Sequence, residues 1–139
     1  PSGADNEPWS MGETVEKIFT KYIRIREQLR PYTRKLFTDA HENGQPLIRG
    51  LFYEFPADSK TADISDEYMF GPDLLVAPIT EFSARERVVY LPGDDSTVWT
   101  NLLDGVKTVG GHSIMVHAPL ESIPVFARNG EDHGLLGRL

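Results

Sequence analysis

The sequence predicts an α+β chain, with a helix and a buried strand first and a small antiparallel β-sandwich after them. Three observations carry this. Apolar residues recur at helical spacing between residues 11 and 43. A dense apolar run, "PLIRGLFYEF" (46–55), follows. Beyond residue 80, short runs rich in β-branched and aromatic residues alternate with turn dipeptides about every ten residues.

The helix is predicted to start at Ser10. Glu13 stands three residues later, the capping-box pattern in which hydroxyl and carboxylate each accept from a free amide of the first turn. Val15, Ile18, Phe19, Tyr22, Ile23 and Leu29 then form one stripe expected to face a core, opposite Lys17, Lys21, Arg24 and Glu27. Pro31 lacks an amide and clashes with the preceding turn, so the helix must kink or restart there. The stripe resumes at Tyr32, Leu36, Phe37 and Ala40, and Gly44 supplies the stop. The expectation is one long kinked helix, or two helices, over 11–43.

Residues 46–55 are too densely apolar for a sheet with one wet face, so they read as a strand buried on both. Pro56 ends it. "DEYMF" (66–70) reads as a helical turn and "DLLVAPI" (73–79) as a second buried strand. Strands are expected at 85–91, 96–103, 106–109, 112–118 and 122–128. Pro92-Gly93, Asp104-Gly105 and Gly110-Gly111 separate them. The tail, 129–139, has no periodicity.

Composition bounds the function. The chain has 139 residues and a formal charge of −7, which argues against a nucleic-acid partner. No apolar run approaches the roughly 18 residues that a membrane helix needs, so no membrane partner is expected. There is no cysteine, hence no disulfide and no thiolate metal site. The first residue is Pro1, within a loop-like stretch, and the sequence reads as a piece of something longer.

The search for chemistry is largely negative. His112 and His117 are five apart, on opposite faces of one strand, which argues against a shared metal. No metal is predicted. Asp63, Asp66 and Glu67 cluster, as do Asp94 and Asp95. A glycosidase needs two carboxylates about 5–10 Å apart, a distance sequence cannot supply. The plainer reading puts Asp63 and Asp66 at a helix N-terminus and Asp94-Asp95 in a turn. No serine lies in a nucleophile elbow, and no phosphate loop or dinucleotide fingerprint is present. Trp99 falls in a strand pattern and is expected in the core. Trp9, between a loop and a helix start, leaves a cleft-facing role open. No catalytic residue is identified.

The order of motifs says more. "EPW" (7–9), "REQLRPYTRKLF" (26–37), "GQPLIRGLFYEFP" (44–56), "DEYMFGPDLLVAPI" (66–79), "VYLP" (89–92) and "SIPVFARNG" (122–130) resemble, in order and spacing, the C-terminal part of the catalytic region of glycoside hydrolase family 31. That family includes α-glucosidases and α-xylosidases. The resemblance implies a (β/α)8 barrel followed by β-sandwich domains. Residues 1–70 would be the end of the barrel, with its last helix (11–43) and last strand (46–55). "DEYMF" would close it, and 71–139 would be the proximal C-terminal β-domain.

It also implies a retaining α-glycosidase that releases terminal α-linked glucose or xylose from oligosaccharides. Its two catalytic aspartates would lie upstream of this segment, which would be inactive alone. No cofactor is implied, since that mechanism needs only carboxylates. Loops 1–9 and 56–65 would sit on the active face of the barrel, making Trp9, Asn6 and Asp58 candidate rim residues of the cleft. The oligosaccharide is the expected partner, met through the upstream barrel. An unpaired edge on 46–55 predicts self-association of the isolated chain. The competing reading is a free-standing carbohydrate-binding or protein-interaction β-module, with Trp9 or Trp99 as a stacking platform.

Overall fold

The computed structural model describes residues 12–79, 81, 84–119 and 122–139. Asn6, Trp9 and Ser10 lie outside them. Among the described residues two helices come first, α1 (Glu13–Gln28) and α2 (Arg30–Asn43). They meet at Leu29, which keeps helical angles and whose N–H still bonds to Ile25 O. Pro31 therefore falls in the first turn of α2, where a missing amide removes no bond. The chain thus resolves the expected kink as a restart. At the other end Gly12 is the cap of α1, and Glu13 is the first helical residue. The capping box expected of Ser10 lies outside the described residues. Gly44, at φ 68°, closes α2 as predicted.

The helical stripe splits. Ile25, Tyr32 and Leu36 are buried, whereas Val15, Phe19, Ile23 and Phe37 are exposed. The apolar arc is wider than one contact can cover. The two sets lie roughly a third of a turn apart at about 100° per residue, and only the first meets the sheet.

The strands are β1 (Ile48–Arg49), β2 (Tyr68–Phe70), β3 (Leu74–Val76), β4 (Glu86–Leu91), β5 (Val98–Asn101), β6 (Lys107–Val109), β7 (His112–His117) and β8 (Val125–Arg128). Six form one antiparallel sheet in the order β1-β2-β3-β8-β5-β6, and β4 and β7 form a separate two-stranded ribbon. Neighbouring residues point to opposite faces of the sheet, as period-two geometry demands. Met69, Leu75, Trp99 and Phe126 face the ribbon and pack with Val89, Leu91 and Val116. Phe70, Leu74 and Ala127 face the helices and pack with Ile25, Tyr32 and Leu36. The sheet is thus a middle layer between helices and ribbon. This explains why "LLVAPI" and "VFA" lack polar alternation.

Three expectations are corrected. Residues 46–55 are not one strand: pairing stops at Arg49, and Leu51–Glu54 form a helical turn, α3. Among the described residues β1 is paired only by β2, so extending it would leave one edge open. The turn instead buries Leu51 and Phe55 and leaves Ile48, Phe52 and Tyr53 exposed. "DEYMF" is no helical turn either. Tyr68–Phe70 pair with β3, and Met69 and Phe70 with β1 as well, which satisfies more backbone groups than a lone turn would. Finally, neither Asp63 nor Asp66 heads a helix. Asp58 caps the 3-10 helix Ser59–Asp63 through Lys60 N, and Asp66 pairs with Arg87 at 3.0 Å. Asp94 does hold a turn, accepting from Ser96. Trp99 is in the core, donating from Nε1 to Pro92 O at 2.9 Å.

The aperiodic tail is ordered by contacts rather than by repeats. Leu135 is buried under the helices, Gln28 donates to His133 O, and Gly137 N donates to Leu102 O.

Tyr32 holds the joint between helices and sheet. Its hydroxyl donates to Phe70 O at 2.6 Å and accepts from Asp73 N at 3.1 Å, gripping the turn between β2 and β3. Burial first of all raises its pKa, keeping it neutral in that role. A Cβ on Gly71 would lie 2.2 Å from the Tyr32 hydroxyl, and Gly71 has φ +65°. Gly44 has nearly the same φ, +68°, with nothing near. Gly44→Ala is expected to cost about 1–2 kcal/mol of strain alone. Gly71→Ala should cost roughly 1–3 kcal/mol more for the clash. Urea midpoints of the two variants test this, and equal losses would show that Tyr32 yields freely.

Candidate functional site

Beside α3 lies an open groove of about 440 Å³, lined by Glu54, Phe55, Asp58, Gly93, Asp94, Ser96 and Arg128 among others. Its charged groups come from four segments, Asp94 lying in the turn between β4 and β5. Glu54 is carried by α3, and Asp58 starts the 3-10 helix. Arg128 ends β8.

Glu54 is the hub. Its Oε2 pairs with Arg49 Nη1 at 2.6 Å and its Oε1 with Arg128 Nη1 at 2.9 Å. Arg49, only 5% exposed, also donates to Pro46 O from Nε and Nη2. The Arg128 guanidinium lies 4.3 Å from the Phe55 ring centroid. None of these charges stands alone, which is the condition for burying them.

Asp58 is equally engaged. Oδ2 accepts from Tyr90 Oη at 2.5 Å and Gly93 N at 3.0 Å, and Oδ1 accepts from Lys60 N at 3.1 Å. Burial opposes its ionisation, but the donors from Tyr90, Gly93 and Lys60 outweigh burial and hold its pKa below the usual carboxylate value. The same bond, after burial, raises the Tyr90 pKa. Asp58 thus ties the 56–65 loop to β4. Of the other candidate rim residues, Asn6 and Trp9 lie outside the described residues.

A second cluster joins Asp73, Glu131 and His133, whose ligand atoms lie within 4.8 Å of one another. His133 Nε2 is 2.8 Å from Asp73 Oδ2, and its ring stacks on Tyr32 with centroids 4.0 Å apart. One imidazole and two carboxylates are a cation-compatible set, but the His–Asp contact already uses the ligand faces. His112 and His117 are both exposed on β7.

Sequence reasoning missed Arg49, Glu54, Tyr90 and Arg128. A signal existed: Arg49, Glu54 and Arg128 are the charges inside otherwise apolar motifs. Opposite charges embedded in buried runs require one another.

The layered fold has counterparts among known proteins. The model of the glycosyl hydrolase family 31 C-terminal domain matches residues 44–131. The chain belongs to glycoside hydrolase family 31. It is 40% identical over 124 residues to alpha-glucosidase 2 of Bacillus thermoamyloliquefaciens, covering 89% of this chain and 15% of that protein. It is 36% identical over 132 residues to the alpha-xylosidase of Saccharolobus solfataricus, covering 95% of this chain and 18% of that one. A GH31 alpha-xylosidase from a soil metagenome, solved with xylose, superposes with a TM-score of 0.88 at 42% identity, over 94% of this chain and 19% of that one. The chain therefore spans under a fifth of these GH31 relatives.

The ion triad yields a test. Glu54→Gln leaves two arginines without their counter-charge and should cost roughly 3–5 kcal/mol. Arg128→Leu should cost less, because Glu54 keeps Arg49 and the leucine still covers Phe55. Urea unfolding at unchanged m-value reads the difference; a silent Glu54→Gln would show the triad to be ornamental.

Proposed function

We propose that this chain is the structural end-piece of a retaining α-glycosidase acting on terminal α-linked glucose or xylose in oligosaccharides. The family match across 44–131 carries the reading. The local chemistry supports a structural role: the groove carboxylates Glu54, Asp58 and Asp94 are each committed to fixed partners. In this reading the helices up to residue 43 belong to the end of the catalytic barrel and the catalytic aspartates lie upstream; the expected boundary at 70/71 gives way to one near residue 44, because β1 and β2 share a sheet with β3 and β8. Trp9 and Asn6 stand at the rim of the cleft. Asp58 shapes that rim by positioning the 56–65 loop. Oligosaccharide is met through the upstream barrel.

The exposed set Val15, Phe19, Ile23 and Phe37 supports this, because its area is what a further layer would cover. So does Ile48 on the open edge of β1. With no such layer the chain is proposed to self-associate through these residues. Sedimentation velocity should show mass rising with concentration, and Phe19→Lys with Phe37→Lys should suppress the rise. A monomer at all concentrations would count against it.

The isolated chain is expected to leave aryl α-glucosides and α-xylosides intact. Exchanging the matching stretch of the S. solfataricus alpha-xylosidase for this segment should preserve turnover. Hydrolysis by the isolated chain, or tight binding of xylo- or gluco-oligosaccharides to it, would replace this reading with that of a self-sufficient enzyme or a carbohydrate-binding module.

A further inference from the structure

Glu67 immediately precedes β2, and its side chain is only 2% exposed. Oε1 accepts from Tyr90 N on β4 at 2.7 Å. Arg87 Nη2 stands 3.6 Å from that oxygen, too far for a hydrogen bond. Its guanidinium is committed elsewhere, to Asp66 Oδ2 at 3.0 Å and to the carbonyls of Asp66, Pro78 and Val88. Oε2 has no partner among the described residues. A buried anion needs donors at both oxygens, and this site offers one amide and one offset cation. Burial pushes the Glu67 carboxyl up to about 7, against the pull of the Tyr90 amide and Arg87, with Asp66 adding to the rise.

We propose that Glu67 is a proton-operated latch: as the neutral acid it fastens the β4–β7 ribbon to the six-stranded sheet, and its ionisation draws water or Arg87 to Oε2 and loosens the ribbon. The charged and titratable groups facing it are Asp66 beside it, Arg87 and Tyr90 on β4, and Asp58 behind the Tyr90 hydroxyl. From β7, Ile114 and Val116 contribute apolar packing to this core, while the Glu86–His117 pair is exposed. The folded carboxyl titrates above its ordinary 4.5, so the folded state holds the proton more tightly than the unfolded. The latch's stabilisation is therefore full below about 4.5 and is lost as pH rises to about 7. The proposal stands independently of the glycosidase reading.

The test compares the 139-residue chain with Glu67→Gln, which is near-isosteric and always neutral. Amide protection in β4 and β7 is measured for both by hydrogen exchange from pH 5 to pH 8, and intrinsic exchange cancels in their ratio. Protection of the variant relative to the parent should rise roughly a hundredfold across that range. A ratio that stays constant overturns the latch. Should the variant not fold, carbon-13 titration of the Glu67 carboxyl in the parent decides alone. A midpoint near 7 supports the latch, and an ordinary carboxylate midpoint overturns it.

Discussion

One carboxylate and two guanidiniums hold the sequence-distant parts of this molecule in register. Glu54 receives Arg49 from β1 and Arg128 from β8, strands separated in the sheet by β2 and β3. Arg49 is almost fully buried and Arg128 partly so, and charge and packing together fix the position of α3. That placement delivers Phe55 to the core beside Trp99, with ring centroids 5.8 Å apart. It also sets the start of the loop on which Asp58 reaches Tyr90 and Gly93. An apolar replacement could match the stability of such a triad. What the ions add is directionality, because each arginine fork accepts one orientation of the carboxylate.

The same logic of shared faces runs through the layers. The sheet needs apolar residues on both sides, since helices cover one and the ribbon the other. Side chains from "DEYMFGPDLLVAPI" feed both cores: Met69 and Leu75 on one side, Phe70 and Leu74 on the other. Between them Gly71 leaves the space in which the Tyr32 hydroxyl sits. The stretch is conspicuous because it serves two cores and a turn within a dozen residues. Its acids are the buried Glu67 and the paired Asp66 and Asp73, which meet Arg87 and His133.

Much of the architecture was legible in the residues. Helical period over 11–43, the glycine stop at 44 and four strands of the β-region follow from spacing and turn chemistry, all of which are local. The "SIPVFAR" run was also legible as a strand, although pairing begins only at Val125. What failed was non-local. "PLIRGLFYEF" looks extended by composition, but whether a strand continues depends on a neighbour to pair with. The wide apolar arc of the helices says that two surfaces want burial, and cannot say which is met. The groove was legible only through Asp58, and even that residue's commitment to Tyr90 spans 32 positions.

The sequence by itself determined the family, a break in the helix at Pro31 and the run of short antiparallel strands, because each depends on residues close together in the chain. Only the tertiary structure decided the three-layer order, the single edge of β1, the ordering of the tail, and the partners of Glu54, Asp58 and Glu67. Those depend on which charges and amides meet across long loops. Burial makes each such meeting obligatory without encoding its partner in any neighbouring residue.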